Sequence, residues 1–306
     1  MDQPTVIYET VHGSTAYGLA RAGSDVDVKG VVIGPSGWYL GWTGGPEQID
    51  LSPDHVRYDI RKFFRLAVDA NPTVLELLWT RDEDHLVVTD AGQRLIEARD
   101  GFLSQRVAER FGRYALAQLK RIRTHRAWLH SPPAGAPTRG QFGLPDRTVI
   151  PADQLAAAQA LLEEGDLDAV DVSPNFVELL TREKRYKSAQ AQWRHYNDWL
   201  RNRNPARSDL ETRFGYDTKH GMHLVRLQRM ALEILTTGTV NVFRPDRDEL
   251  LAIRDGAWAF DELEARTSDL AAKIDDAVRS SPLPARPDEA ALHRLCVELV
   301  AEHLGC

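Results

Sequence analysis

A Gly-Ser pair followed by two closely spaced aspartates is the feature that most constrains this chain. Gly13 and Ser14 follow an alternating segment, and ten residues separate them from Asp25-Val26-Asp27. In a strand, Asp25 and Asp27 would share one face and Val26 would turn to a core. Two carboxylates held that close repel each other and lose solvation, and a divalent cation relieves both costs. The pattern therefore predicts a cation site beside a turn whose free N–H groups suit a phosphate.

Periodicity divides the chain into an α/β part and a longer helical part. Asn71 and Pro72 are typical of a helix start, and a Pro- and Gly-rich segment at about 131–150 predicts a flexible loop. The layout predicts an α+β fold, with a small mixed-sheet domain over 1–100 and a mainly helical domain over 101–306. Strands are predicted at 5–12, 25–33 and 55–60, and helices at 14–20, 60–69, 104–130, 152–163, 174–200, 219–236, 246–254, 260–279 and 287–304.

Four motifs in sequence order resemble one family. Residues 12–32 resemble the nucleotidyltransferase superfamily that includes DNA polymerase β. Residues 58–66, 71–78 and 219–227 are similar to one branch of it, the RNA-repair-pathway, or RNA-ligase-associated, polymerase β family. The resemblance implies a small nucleotidyltransferase domain with a mixed sheet and flanking helices. It also implies transfer of NMP from an NTP to a hydroxyl acceptor, an RNA end.

This chemistry implies a particular set of metal ligands. Nucleotidyl transfer commonly uses two Mg²⁺ or Mn²⁺ ions, and the second ion usually needs a third carboxylate beside Asp25 and Asp27. Asp59 is our candidate, because it ends a strand predicted to lie beside the first two acids and precedes a helix, where the superfamily places its third acid. Asp54, in the loop before that strand, is the alternative.

The resemblance also implies which residues contact the NTP. Gly13 and Ser14 would hold the triphosphate. Lys219, His223 and Arg226 are spaced by four and three residues, so they share one face of a predicted helix and could neutralise its charge. An exposed helix edge with one packed histidine is the alternative interpretation of that face.

Charge distribution bears on the acceptor. A net charge of −7 argues against indiscriminate nucleic-acid binding, but basic residues concentrate at 106–126 and 182–207. Such stripes can form a local footprint for a polyanion such as RNA. The alternative is that they are solvated helix faces.

Cysteine usage and hydropathy bear on the compartment. Cys296 and Cys306 are the only cysteines, which excludes a disulfide scaffold. No apolar run approaches the length of a membrane span, and residues 1–5 do not read as the start of a signal peptide. We therefore expect a cytoplasmic protein with no membrane partner.

Two other functions remain compatible with the sequence. In the first, the same domain transfers a nucleotide to a small molecule or to a protein side chain. In the second, it is a sensing or scaffold module that binds an NTP without transferring it.

Overall fold

The computed structural model describes residues 3–148, 174–203 and 205–305. It divides into two compact units, Met1–Arg123 together with Phe214–Cys306, and Thr124–Arg213. The domain bounds predicted from the sequence, 1–100 and 101–306, stay predictions. The helix predicted at 152–163 and the last two residues of the predicted 131–150 loop lie outside the described residues.

The first unit contains a mixed five-stranded sheet. Its strands are β1 (Thr5–His12), β2 (Asp27–Ile33), β3 (Gln48–Ser52), β4 (His55–Asp59) and β5 (His85–Val88). Their order across the sheet is β3-β4-β2-β1-β5. β2 and β4 run parallel, and the other neighbouring pairs are antiparallel. With its flanking helices, this sheet confirms the predicted α+β fold class.

Helices account for most of the remaining described residues. The α-helices are α1 (Gly13–Ala16), α2 (Gly37–Leu40), α3 (Ile60–Val68), α4 (Pro72–Leu75), α5 (Asp90–Glu97), α6 (Arg106–His130), α7 (Pro174–Arg201), α8 (Pro205–Phe214), α9 (Thr218–Thr237), α10 (Arg247–Arg254), α11 (Phe260–Ser280) and α12 (Glu289–Leu304). Short 3-10 helices occur at Glu76–Trp79, Asp82–Asp84, Arg99–Phe102 and Arg139–Phe142. None of the helices in the described ranges is long and apolar enough to cross a bilayer.

Local side-chain caps explain where the helices nearest the sheet begin. The side chain of Asn71 accepts a hydrogen bond from the Val74 N–H at 3.3 Å, and Pro72 opens the helix, as predicted. The side chain of Asp217 accepts the His220 N–H at 3.0 Å and begins α9. These caps satisfy N–H groups that have no partner inside the helix.

The directions of the strands bring three chain segments to one end of the sheet. β1 ends at His12, directly opposite Asp27 at the start of antiparallel β2. Because β4 is parallel to β2, its first residue, His55, lies opposite Val28. The end of β1, the start of β2 and the loop before β4 therefore meet. This end of the sheet is where the candidate site lies.

The second unit is built on α7. Glu183 is buried in this unit, where Arg139 forms an ion pair with it. Tyr186 packs edge-on against Phe142 at 5.6 Å between ring centroids. These contacts attach the 3-10 helix Arg139–Phe142 to α7, so the part of the predicted 131–150 loop that is described contains an ordered turn of helix.

Candidate functional site

The Gly13–Ser14 turn lies against the carboxylate of Asp27. Gly13 has φ +65°, which favours glycine, and a Cβ added there would lie 1.9 Å from Asp27 Oδ2. Glycine is required at this position for two reasons: the positive backbone angle and the close approach of the carboxylate. The half-buried hydroxyl of Ser14 has no hydrogen-bond partner among the residues described. The predicted proximity of Gly13, Ser14 and Asp27 is thus present.

Asp25 does not lie in a strand, although a strand was predicted over 25–33. β2 begins at Asp27, because β1 has already ended at His12 and offers no partner to earlier residues. Asp25 is exposed in the preceding loop, and Val26 is 57% exposed. The expectation that Val26 faces a core is wrong. Asp25 is two residues from Asp27, but strand alternation does not set its direction.

Asp59 does not lie beside Asp25 and Asp27. In the parallel register, Asp59 is opposite Val32, five residues along β2 from Asp27. At roughly 3.3 Å per residue, this separates the two acids by about 16 Å. The predicted proximity is wrong, because Asp59 is at the far end of β4. The strand itself was correctly predicted as a neighbour of β2.

The contacts of Asp59 show a structural role at that far end. Its side chain is 2% exposed and begins α3 by accepting the Arg61 N–H at 3.1 Å. Arg61 Nε donates to the same oxygen at 2.9 Å, and the Tyr39 hydroxyl donates to the other at 3.1 Å. Both carboxylate oxygens are therefore occupied by protein donors.

Asp54, the alternative third acid, lies at the correct end of the sheet. Its carbonyl oxygen accepts the Val28 N–H at 2.7 Å, which places Asp54 at the level of Asp27. Asp54 is exposed. Asp25, Asp27 and Asp54 are thus the carboxylates that the backbone gathers at the Gly13 turn.

The predicted phosphate ligands on α9 fall into two groups. Lys219 and His223 are half-buried on the same helix face as Arg226, and their assignment to the triphosphate stays a prediction. Arg226 is 5% exposed, and its Nη1 donates to Glu76 Oε1 at 2.8 Å. The expectation that Arg226 neutralises a bound triphosphate is not supported by this placement, because its guanidinium already has a carboxylate partner inside the core.

A buried polar network stands behind the Gly13 turn. The Tyr17 hydroxyl donates to Glu76 Oε2 at 2.6 Å, and His12 Nε2 lies 3.5 Å from the same oxygen. The guanidinium carbon of Arg226 lies 3.7 Å from the centre of the Tyr17 ring. His12 and Tyr17 bracket the turn in the chain, so this network fixes both ends of the segment that carries Gly13.

The network determines the charge state of Glu76. Burial alone would raise its pKa, but Arg226, His12 and Tyr17 outweigh that effect and lower the pKa of Glu76 to about 2. Burial raises the pKa of Tyr17 well above its usual value, and the negative charge of Asp27 adds to that rise. Glu76 is therefore ionised and Tyr17 neutral at pH 7.

We expect the unfolding free energy of the Glu76→Gln variant to fall less on acidification than that of the wild type. The folded pKa, about 2, is below the usual value of 4.5, so the stabilisation is complete above about pH 4.5 and is lost as the pH falls towards about 2. The wild type should lose on the order of 3 kcal/mol of unfolding free energy through this group over that interval. Glutamine does not titrate, and it leaves Arg226 buried without a carboxylate, so the variant should be less stable at pH 7.

Urea unfolding at a series of pH values measures this effect. Glu264→Gln is a suitable control, because Glu264 pairs with the exposed Arg123 and should leave the acid dependence unchanged. Equal acid dependence in wild type and Glu76→Gln would contradict the proposed ion pair.

A cavity in the described part of the chain lies elsewhere in the first unit. It has a volume of about 930 Å³ and is lined by α3 and α12, with Tyr39 and Leu40 from α2. It includes none of Gly13, Ser14 or Asp27. A divalent cation binds through carboxylate and phosphate oxygens, which would meet at the Gly13 turn and not in this cavity, so the candidate site lies at the turn.

Comparison with known proteins bears on this arrangement. Residues 2–129 match the RNA repair pathway DNA polymerase beta family. The match spans β1 to β5 and includes the Gly13 turn, Asp25, Asp27 and Asp54. The candidate site therefore lies within the matched segment. The family name points to a nucleotidyltransferase of the polymerase β type in RNA repair. No curated protein and no solved structure matches the chain.

Among the residues in the described ranges, no group of three His, Cys, Asp or Glu side chains is arranged to hold a metal ion. The donor chemistry at the turn nevertheless fits a hard divalent cation. Mg²⁺ is commonly bound through one or two carboxylates together with substrate phosphates. Asp27, held against the Gly13 turn, meets that requirement without a complete protein cage.

Three network residues were not identified from the sequence. His12, Tyr17 and Glu76 all lie inside motifs that carry the family resemblance, and that membership was the available signal. The contact of Glu76 with Arg226 joins residues 150 positions apart. Neither spacing nor periodicity reveals a contact at that separation.

Proposed function

We propose that this protein is a Mg²⁺- or Mn²⁺-dependent nucleotidyltransferase that transfers NMP from an NTP to a hydroxyl at an RNA end. The observation that carries the proposal is the contact between Gly13 and the Asp27 carboxylate, within a segment that matches a polymerase β family. The Asp27 carboxylate stands directly beside this turn, where it would hold the cation that accompanies a phosphate. The predicted cytoplasmic location remains part of the proposal.

The residues have separate tasks in this reaction. Asp25 and Asp27 would hold the cation that accompanies the triphosphate, and Asp54 is the carboxylate that would join them for a second ion. The chemistry that such ions supply when bound is neutralisation of phosphate charge and a lowered pKa for the attacking hydroxyl. The Ser14 hydroxyl would donate to a phosphate oxygen.

The transfer itself is a substitution at phosphorus. A bond forms between the acceptor oxygen and the α-phosphorus, and the bond from that phosphorus to the bridging oxygen of the β-phosphate breaks. Pyrophosphate leaves, and the acceptor hydroxyl releases its proton. Catalysis by this chain therefore consists mainly of positioning and charge stabilisation by the residues around Gly13.

A labelled-transfer assay tests the proposed function. The protein is incubated with each α-³²P-labelled NTP, Mg²⁺ or Mn²⁺ and an RNA pool, and we expect labelled RNA and release of pyrophosphate. Label on a small molecule or on protein would identify the other acceptor classes. NTP binding without label transfer or pyrophosphate under any condition would contradict the proposal in favour of a sensing module.

The third carboxylate can be identified by comparing two variants. Asp54→Asn should lower the transfer rate by about 10-fold to 100-fold without changing Tm, because the residue is exposed at the candidate site. Asp59→Asn should retain transfer but lose about 1–2 kcal/mol of unfolding free energy, because it weakens the hydrogen bonds from Arg61 and Tyr39. The opposite result, with transfer lost only in Asp59→Asn, would show that Asp59 and not Asp54 is the third metal ligand.

A further inference from the structure

The second unit carries a cluster of aromatic rings, here called the aromatic platform. Each ring is half-buried, so each keeps part of its surface open to solvent. Two of the rings come from the last turns of α6 and three from α7. The members are His125, Trp128, Trp193, Tyr196 and Trp199.

The rings form a continuous series of contacts. His125 stacks on Trp128 with ring centroids 5.5 Å apart and an interplanar angle of 22°. Trp128 contacts Trp199 at 5.4 Å, and Tyr196 contacts both Trp199 at 5.8 Å and Trp193 at 5.7 Å. A contiguous group of half-exposed rings this large is unusual on a protein surface without a binding role.

Unpaired positive charge lies on the same helix as three of these rings. Arg185, Lys187 and Arg194 are exposed and have no ion-pair partner among the residues that the structure describes. The acids of α7 do not offset them, because each is already paired. The pairs are Glu178 with Arg182, Glu183 with Arg139, and Asp198 with Arg201.

The other basic run of the sequence behaves differently. In the 106–126 segment, both Arg106 and Arg110 pair with Asp69, and Arg113 pairs with Glu109. Much of that charge is therefore neutralised within the protein. The surplus that a polyanion could use lies on α7, the helix that also carries three rings of the aromatic platform.

We propose that the aromatic platform, with Arg185, Lys187 and Arg194, binds single-stranded RNA. Aromatic rings stack with unpaired bases of any sequence, and the cations track the phosphates, which is the combination that single-strand binding requires. A duplex keeps its bases stacked on each other and does not offer their faces to the rings. The inference rests on the proposed function, because it assigns the surface that holds the acceptor strand.

The decisive measurement is the salt dependence of RNA affinity. Fluorescence anisotropy with a labelled oligouridylate is measured over a range of KCl concentrations. In the triple variant Arg185→Gln, Lys187→Gln, Arg194→Gln, we expect weaker binding and a plot of log K against log[salt] that is shallower by about 2, since each single-strand phosphate contact contributes roughly 0.7. An unchanged slope would overturn the proposal.

A charge-matched control separates this surface from net charge. Lys273, Arg286 and Arg294 are exposed cations of the first unit. The triple variant Lys273→Gln, Arg286→Gln, Arg294→Gln changes the net charge by the same amount and should leave the slope unchanged. Equal losses in the two triple variants would overturn the proposal, because the effect would then be one of overall charge.

The stacking part is tested at the outer end of the platform. Trp193→Ala should weaken oligouridylate binding by about tenfold, and Trp193→Phe should restore most of the affinity because it keeps a ring. Circular dichroism confirms that both variants are folded. Equal affinity for duplex and single-stranded RNA, or equal affinity of the folded Ala and Phe variants, would overturn the stacking assignment.

The two proposals fail in distinguishable ways. RNA affinity is measured without any reaction, and NTP binding is measured separately with a fluorescent NTP and Mg²⁺. Loss of RNA affinity in the α7 triple variant with unchanged NTP binding supports the assignment of RNA binding to this surface. Absence of label transfer by the wild type contradicts the proposed reaction. An unaltered RNA affinity in the α7 triple variant contradicts the assignment of RNA binding to this surface.

Discussion

Asp27→Asn is expected to reduce nucleotidyl transfer by on the order of 10³-fold or more while leaving the fold intact. The Asp27 carboxylate lies against the Gly13 turn, at the point where a triphosphate and its cation would meet. Asparagine keeps the shape of the side chain and the backbone pairing with His12, but it removes the charge that a hard cation requires. Asp25→Asn should have the same effect, because it removes the second carboxylate.

Single-turnover transfer of labelled NMP and a thermal melt measure this prediction together. Asp248→Asn is the matched control, because the Asp248 side chain is 91% exposed on α10 and should change neither quantity. Near-complete activity in Asp27→Asn would remove Asp27 from the metal site. Loss of activity accompanied by a large fall in Tm would instead show that Asp27 is needed for folding.

Gly13→Ala is expected to lower transfer by on the order of 10³-fold, through geometry rather than charge. A Cβ at this position would lie 1.9 Å from Asp27 Oδ2, so either the carboxylate or the turn must move. The backbone also has φ +65°, which alanine adopts only with strain. The collision displaces the carboxylate that would hold the cation, and the backbone strain displaces the turn that would hold the phosphate.

Gly44→Ala separates strain from collision. Gly44 has a similar φ of +67°, and an added Cβ there meets no atom within 4 Å. We expect a stability loss of about 1 kcal/mol in this control with unchanged transfer. The account of the turn would be contradicted if Gly13→Ala and Gly44→Ala lost activity to the same extent, or if Gly13→Ala transferred at the wild-type rate.

Much of the fold could be predicted because its signals are local. The strand 5–12 was predicted with the bounds that β1 has, and the helix start at Asn71-Pro72 follows from capping chemistry that involves a few neighbouring residues. Strands β3 and β5 and helices α2, α5 and α8 were not predicted. β3 is short and mostly exposed, with only Gln48 and Ile49 half-buried, so it lacks the regular alternation that marks a half-buried strand.

The candidate site shows where prediction from sequence stops. The proximity of Gly13–Ser14 to Asp27 could be predicted, because the Gly-Ser turn follows β1 directly and Asp27 begins the neighbouring strand β2. The choice between Asp54 and Asp59 could not, because it depends on the direction of β4 relative to β2. In a parallel pair the start of β4, not its end, lies near Asp27.

Arg226 illustrates a second limit. Helical spacing correctly places it on one face of α9 with Lys219 and His223. Spacing does not show how deep that face is buried, and Arg226 is inside the core, where Glu76 neutralises it. A buried carboxylate partner 150 residues away becomes visible only in three dimensions.

The position of a bound cation tests the central claim most directly. Mn²⁺ broadens the NMR signals of nearby amides, so Mn²⁺ is titrated with a non-hydrolysable NTP into the ¹⁵N-labelled protein. We predict that the amide signals of Gly13, Ser14 and Val28 broaden first, and that Asp27→Asn abolishes this broadening. Broadening centred on Asp59 and Arg61, or the same broadening at Gly13 in Asp27→Asn, would contradict the assignment of the metal site to the Gly13 turn.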